Sequence, residues 1–172
     1  IYNLISSKAV PEVISENGGT PIRSRVGHSF IKKKMAETNA IFGGEHSGHF
    51  YFADFWRADS GMLAALYAIA ALGESEKTLS ELLAPYARYF ASGEINSTVS
   101  DSKAIMAGIK ESYGSKPGVT TDELDGLTVD GDTWWFNVRA SNTEPLLRLN
   151  VEAKTQSQMQ ALRDEVLAVI RG

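Results

Sequence analysis

The pattern of apolar residues changes along this chain, and the change limits the folds that the chain can adopt. Over roughly the first 60 residues, short apolar runs alternate with helical segments, which is the signature of β-α-β units and a mainly parallel sheet. Beyond residue 95, single apolar residues alternate with polar ones in 134–138 and 147–151. Such alternation is typical of an antiparallel sheet with one covered face. The sequence therefore predicts two units of different architecture.

The first unit, residues 1–84, is predicted to be part of an α/β/α domain. The apolar run Ile1–Ile5 is typical of a covered strand. Pro11 fits the first turn of a following helix, and a second helix is predicted over 29–38. The very apolar helix that begins at Ser60 is expected to be buried on most sides.

Residues 85–94 are predicted to be a linker, and residues 95–172 a small α+β domain with an antiparallel sheet and two helices on one face. One helix is predicted from about Asp101 to Tyr113. The other begins at Thr155, which is predicted to form a capping box with Gln158. Its apolar face is predicted to comprise Met159, Leu162, Val166 and either Val169 or Ile170.

Composition excludes several functional classes. The 172 residues include 43% apolar and 22% charged residues, which is near the average of folded globular chains. The net charge is −4, and neither half of the chain has a basic excess, so neither nucleic acid nor an anionic membrane is an expected partner. No cysteine is present, which excludes disulfides and thiolate metal sites. The longest apolar run, 62–72, is about half of the ~20 residues that a transmembrane helix needs.

The glycine-rich segment Gly43–His49 is the first candidate site. Glu45, Ser47 and His49 offer an anionic acceptor, a hydroxyl and an imidazole on a flexible backbone, a set that suits vicinal sugar hydroxyls. Taken alone, the segment fits a tight turn after a strand equally well. A metal site built from Glu45, His46 and His49 is a third interpretation, less favoured because a glycine-rich loop does not hold ligands in the register that a helix provides.

The second candidate site is the segment Arg139–Pro145. Arg139 offers a planar fork of donors, Ser141 and Thr143 offer hydroxyls, and Asn142 offers an amide. This density of donors matches a phosphate dianion. Taken alone, however, the segment fits an ordinary hairpin turn slightly better.

The two segments together resemble the phosphomannomutase/phosphoglucomutase (α-D-phosphohexomutase) superfamily. The resemblance rests on Gly-Glu-His-Ser-Gly-His, on Arg-Ala-Ser-Asn-Thr-Glu-Pro about a hundred residues later, and on the turn Arg25–Ser29. It covers nearly the whole chain and implies most of domain three followed by domain four of a four-domain enzyme. On this basis the chain is expected to be part of a longer, cytoplasmic protein whose N-terminal domains complete the active site.

The resemblance also implies roles for individual residues. Glu45 and Ser47 would hold the sugar hydroxyls, with His49 lining the cleft. His28 would also face the cleft, assisted by Arg25, and the two histidines are candidates for proton transfer. The family pattern gives His46 no role. The phosphate loop would bind the phosphate that is not reacting, through the residues Arg139, Ser141, Asn142 and Thr143.

The chain departs from the family pattern at the catalytic centre. The resemblance implies a phosphoserine, a magnesium-binding aspartate loop and a hexose 1,6-bisphosphate intermediate in the full-length enzyme, but neither motif occurs here. Asp130-Gly131-Asp132 is predicted to be a hairpin turn rather than a metal loop. The implied substrates are mannose or glucose 1- and 6-phosphates, and this chain alone is expected to be inactive and to bind no metal. A stand-alone phosphosugar-binding or regulatory module is the alternative function.

Overall fold

A computed structural model of the chain describes residues 1–141 and 143–172. These residues form two compact units, Ile1–Arg88 and Tyr89–Gly172. The strands of the first unit are β1 (Tyr2–Asn3), β2 (Arg23–Ser24), β3 (Phe42–Gly44), β4 (Phe50–Phe52) and β5 (Ala58–Asp59), and its helices are α1 (Ala9–Glu16), α2 (His28–Thr38), α3 (Gly61–Gly73) and α4 (Leu79–Leu83). The strands of the second unit are β6 (Phe90–Thr98), β7 (Thr120–Asp122), β8 (Leu127–Asp130), β9 (Trp134–Ala140) and β10 (Leu146–Ala153), and its helices are α5 (Ser102–Gly114) and α6 (Gln156–Arg171).

The first unit is a mixed sheet with helices, in the strand order β2-β1-β3-β4-β5. The pairs of β1 with β2 and with β3 are parallel, as the β-α-β pattern predicts. The pairs β3-β4 and β4-β5 are antiparallel, so the sheet is mixed rather than mainly parallel. The reason is local, since the five-residue connections that join these strands are too short for a parallel crossover. The α/β fold class is confirmed.

Helix α3 is more exposed than its apolar sequence predicts. Ser60 caps it by accepting a hydrogen bond from the Leu63 N–H, but none of its 13 residues is buried among the described residues. Met62, Tyr67 and Ile69 are more than half exposed. Apolar composition thus predicts the helix correctly, whereas its burial depends on which surfaces lie beside it.

In the part of the chain that the structure describes, no helix combines the length and apolar character needed to cross a membrane.

The second unit is an antiparallel sheet in the order β6-β10-β9-β8-β7, with both helices packed on one face. Alternate residues of the central strands fill the core between sheet and helices. The predicted apolar face of α6 is confirmed. The structure also decides between Val169 and Ile170 as its last member, because Ile170 is 3% exposed and Val169 is 46% exposed. The Thr155 side chain accepts from the Gln158 N–H, but the Gln158 side chain bonds to Thr133, so only half of the predicted capping box forms.

The predicted linker, residues 85–94, is shorter in the structure. A 3₁₀ turn, Ala84–Tyr86, occupies its start, and strand β6 already begins at Phe90. Phe90–Thr98 pairs along most of β10, so this segment belongs to the second sheet. Its alternation is hard to detect because Gly93 interrupts it and a bulge shifts the pairing near Asn150.

The loop before β8 contains a position that only glycine can occupy without strain. Gly126 has a φ of 71°, and a Cβ there would overlap the carbonyl oxygen of Val138. The missing side chain lets this loop lie against β9, where the Asn137 side chain donates to the Asp125 carbonyl at 3.1 Å. The loop therefore lies directly beside Arg139, the residue that follows Val138 in β9.

A hydrogen bond between α5 and α6 should make the stability of the second unit depend on pH. The Tyr113 hydroxyl donates to Glu165 at 2.7 Å, and Lys116 lies 3.2 Å from the same oxygen. The Tyr113 bond lowers the pKa of Glu165 below its ordinary 4.5, against a smaller opposing effect of burial. A carboxyl whose pKa is lower in the folded state adds stability above its unfolded pKa and loses it as pH falls through the folded value.

We therefore expect unfolding to become easier below about pH 4.5, and Tyr113→Phe to weaken this dependence. At neutral pH this variant should lose about 0.5–1 kcal/mol, because Glu165 is half exposed. Urea unfolding followed by tryptophan fluorescence between pH 3 and 7 measures both effects. An identical pH profile in the variant would show that the Tyr113–Glu165 bond contributes nothing.

Candidate functional site

The Gly44–His49 segment is a tight turn that joins β3 to β4. The Glu45 N–H donates to the His49 carbonyl at 2.9 Å, and the Gly48 N–H donates to the Glu45 carbonyl at 3.0 Å. Gly48 has a φ of 85°, which favours glycine. The turn places His49 next to β4, where alternation puts it on the same face as Tyr51.

Glu45 is buried beneath this turn, with 6% of its surface exposed. Its carboxylate accepts hydrogen bonds from the Tyr51 hydroxyl at 2.6 Å and from the Gly27 N–H at 3.0 Å, with the Asn3 amide at 3.5 Å. A carboxylate has about four lone-pair positions, so these donors leave little capacity for other partners. Burial, then the bond to Glu45, raises the pKa of Tyr51, which keeps its hydroxyl protonated as a donor.

His49 lies between His28 and Asp59. The rings of His28 and His49 meet edge to face with centroids 4.3 Å apart. On the other side, His49 Nδ1 lies 2.6 Å from Asp59 Oδ2, while Asp59 Oδ1 accepts from the Phe50 N–H at 2.9 Å. His28, the first residue of α2, also contacts the Tyr51 ring at 5.7 Å. The predicted residues His28, Glu45 and His49 are thus linked into one cluster through Tyr51.

The pKa of the Asp59 carboxyl is lowered within this cluster. Burial alone would raise the pKa of its carboxyl, but the Phe50 N–H and His49 outweigh that effect and lower it. Asp59 is therefore ionised at neutral pH and can only accept hydrogen bonds.

The other predicted residues of the first unit are exposed. Arg25 stacks its guanidinium over the Phe30 ring at 4.4 Å, at the start of α2. Ser47 and His46 are exposed in the turn. The metal interpretation that combined Glu45, His46 and His49 does not match this arrangement, because Glu45 is buried and His46 is exposed on the turn.

A different set of three residues has spacing that could hold a divalent cation. Ligand atoms of His28, His49 and Asp59 all lie within 4.8 Å of one another. Two imidazoles and a carboxylate suit zinc and similar transition metals.

Asp130-Gly131-Asp132 forms the predicted hairpin turn, with the Gly131 N–H donating to the Trp134 carbonyl at 2.9 Å and Asp130 paired with Trp135.

The second candidate site lies at the turn between β9 and β10. The Ser141 N–H donates to the Leu146 carbonyl at 2.8 Å, and the Ser141 hydroxyl lies 3.5 Å from that of Thr143. Ser141 is half-buried and Thr143 is exposed. Asn142, the fourth predicted phosphate ligand, lies outside the described residues.

Arg139 and Arg148 form a pair of like charges beside this turn. They are directly opposite each other on β9 and β10, on the face away from the helices. Both guanidinium groups approach Glu94, at 3.8 Å and 3.7 Å. The Nε atoms of both arginines are buried without a hydrogen-bond partner among residues 1–141 and 143–172. Two cations that share one carboxylate leave a positive charge and free donors, which suits an anion.

Tyr51, Asp59 and Arg148 are members of these clusters that were not predicted to have a role. Tyr51 and Asp59 complete the histidine cluster, and Arg148 pairs with Arg139. For Tyr51 the signal is its position two residues after His49, which places both side chains on one face of the strand. For Arg148 the signal is the hairpin register, which can be counted outward from the turn at 141–145.

The fold and these clusters define a two-unit α/β protein whose second unit carries paired arginines suited to an anion. Family models agree with that architecture over nearly the whole chain. The model for the phosphoglucomutase/phosphomannomutase alpha/beta/alpha domain III matches residues 1–89, and the model for the C-terminal domain of the same family matches residues 94–169. The chain belongs to the phosphoglucomutase/phosphomannomutase family and corresponds to the C-terminal portion of its members.

Individual relatives support the same assignment. The chain is 46% identical over 170 residues to a phosphomannomutase of Methanocaldococcus jannaschii, covering 99% of this chain and 37% of that protein. It is 39% identical over 162 residues to a phosphomannomutase of Escherichia coli, covering 93% and 35%. A Burkholderia thailandensis phosphoglucomutase/phosphomannomutase family structure superposes with a TM-score of 0.83 at 25% identity, covering 99% and 36%. The chain therefore spans somewhat over a third of the length of these relatives.

Proposed function

We propose that this chain is the sugar- and phosphate-binding part of a phosphohexomutase that interconverts hexose 1-phosphates and 6-phosphates. In the full-length protein, a phosphoserine outside this chain would exchange phosphoryl groups with the substrate through a hexose 1,6-bisphosphate. This chain would orient the sugar and hold the phosphate that is not reacting. Family membership and the phosphomannomutase names of the relatives support the substrate class.

The Arg139–Arg148 pair is the observation that carries this proposal. A half-buried pair of like charges is unfavourable by itself, and Glu94 offsets only part of it. A phosphate dianion beside the turn would accept from both guanidinium groups and from the hydroxyls of Ser141 and Thr143. Phosphoryl transfer depends mostly on such positioning and charge stabilisation. Arg148 thus extends the predicted phosphate site.

The histidine cluster supports the sugar-binding role of the first unit. Glu45, His28 and His49 lie together, and the exposed Ser47 and Arg25 border the same turns. In this arrangement the imidazoles of His28 and His49 exchange protons with sugar hydroxyls. Glu45 holds the turn of Gly27 and accepts a sugar hydroxyl through its remaining lone pair.

Magnesium is the cofactor that the family resemblance implies for the full-length enzyme. The residues of this chain do not fit its site, since the only Asp-Gly-Asp sequence forms the hairpin turn between β8 and β9. Its ligands would belong to the part of the protein outside this chain. No step assigned to these residues passes through a metal.

Turnover by the full-length protein tests the proposed function. We expect mannose 1-phosphate or glucose 1-phosphate to be converted to the 6-phosphate by the full-length protein but not by these 172 residues alone. Binding of hexose phosphates without conversion would favour a phosphosugar-binding module. Conversion by the isolated chain would contradict the assignment of the phosphoryl carrier to another segment.

Glu45→Gln should lower kcat/KM by roughly 10- to 100-fold, because a neutral amide loses about 1.5–3 kcal/mol of charge-assisted hydrogen bonding. Glutamine can still accept from the Gly27 N–H and donate to the Tyr51 hydroxyl, so the fold should persist. Thermal melting of the same variant provides the control. A lower melting temperature with unchanged kcat/KM would show that Glu45 only supports the turn.

A further inference from the structure

We propose that Asp59 is a positioning residue for His49: it holds the imidazole in the tautomer that carries its proton on Nδ1 and leaves Nε2 unprotonated as the base. The inference rests on the proposed function for its kinetic consequence. The tautomer itself does not depend on the function, so it can be tested separately.

The two oxygens of Asp59 have separate partners. Oδ1 accepts from the Phe50 N–H at 2.9 Å, and Oδ2 lies 2.6 Å from His49 Nδ1. An ionised carboxylate has no proton to donate, so the short contact requires a proton on Nδ1. Neutral imidazole carries one proton, which leaves the lone pair on Nε2. A carboxylate that orients a histidine in this way is the arrangement found in nucleophile-histidine-aspartate triads.

The backbone around Asp59 is fixed on both sides. Asp59 pairs with Tyr51 across β4 and β5, and the Ser60 N–H donates to the Phe50 carbonyl at 2.9 Å. Ser60 then caps α3. Because strand pairing and a helix start hold the aspartate, its orientation toward His49 is set before any ligand binds.

The same contacts predict how an amide would behave at this position. In Asp59→Asn, the Phe50 N–H requires the amide oxygen, so the amide NH₂ faces His49 Nδ1. Nδ1 must then accept, and the proton of the neutral ring moves to Nε2. The variant keeps the side-chain volume and the backbone hydrogen bond but inverts the tautomer, which removes the base.

Kinetics of the full-length protein provide the functional test. Asp59→Asn should lower kcat by about 10²- to 10⁴-fold, as expected when a tautomer is inverted, while KM changes little. In a His49→Ala background the same substitution should have no further effect. Asp54→Asn is the matched control, because Asp54 is an exposed carboxylate in the turn between β4 and β5, and it should leave kcat unchanged.

Nitrogen NMR of the ring of His49 provides the structural test, and the chain has only three histidines to assign. The wild type should show neutral His49 protonated on Nδ1, and Asp59→Asn should show it protonated on Nε2. A wild type protonated on Nε2 would overturn the proposal, as would an inverted tautomer with unchanged kcat. An equal kcat loss in the His49→Ala background would also overturn it. A full-length wild type without mutase activity would instead refute the proposed function, and the wild-type tautomer would still be measurable.

Discussion

Arg139→Ala should weaken hexose phosphate binding by about 2–4 kcal/mol, or roughly 30- to 1,000-fold. Arg139 is the more buried of the two paired arginines, with 13% of its side chain exposed, and its Nε has no hydrogen-bond partner among the described residues. Removing it takes away one planar donor pair and half of the positive charge that faces the anion. Arg139→Lys keeps the charge but offers a single point of contact, so the loss should be smaller yet measurable.

Titration of the full-length protein with a hexose phosphate, with inorganic phosphate as competitor, measures this loss. Arg148→Ala should weaken both ligands as well, because Arg148 lies directly opposite Arg139. Arg163→Ala is the control, since Arg163 lies on α6 and pairs with its neighbour Asp164. Reduced folding stability with intact affinity in Arg139→Ala would mean that Arg139 is only a hairpin residue.

Phe136→Ala should lower the free energy of unfolding of the second unit by about 3–5 kcal/mol. Phe136 is fully buried in the centre of β9, with its ring edge-to-face with Tyr113 at 5.0 Å and stacked with Trp134 at 6.1 Å. The substitution removes this aromatic packing and leaves a cavity between the sheet and α5. Since a domain of this size has about 5–15 kcal/mol in total, much of its stability would be lost.

Urea unfolding followed by circular dichroism gives the free energy. Val169→Ala is the matched control, because Val169 lies on α6 but is 46% exposed, and it should change stability by less than about 0.5 kcal/mol. Similar losses in the two variants would show that the core does not lie on the face assigned to it.

Local sequence patterns determined the types of element and the family. The spacing of Met159, Leu162 and Val166 predicted the buried face of α6, and Asp101 and Thr155 marked helix starts that the structure confirms. These features depend on residues three or four positions apart, so they can be derived without knowing the fold. The two polar segments identified the family because each motif is contiguous in the sequence, so it too can be recognised without knowing the fold.

Only the tertiary structure decided which distant side chains meet. His49 lies near Glu45 in the sequence, but its contacts with Asp59 and His28 depend on the register of β4 with β5 and on the position of α2. Arg148 approaches Arg139 because the β9–β10 hairpin closes in one register, and a shift by one residue would place it on the other face.

The exposure of α3 and the burial of Glu45 followed the same principle. Composition predicted a buried α3, and this prediction was wrong. The sequence made no prediction about the burial of Glu45, which the structure shows to be 6% exposed. Hydrophobicity and charge describe which surroundings a side chain favours, whereas the packing of neighbouring elements determines which surroundings it has. For Glu45 the decisive neighbours are Tyr51 and the Gly27 N–H, two donors 6 and 18 residues away that compensate its buried charge.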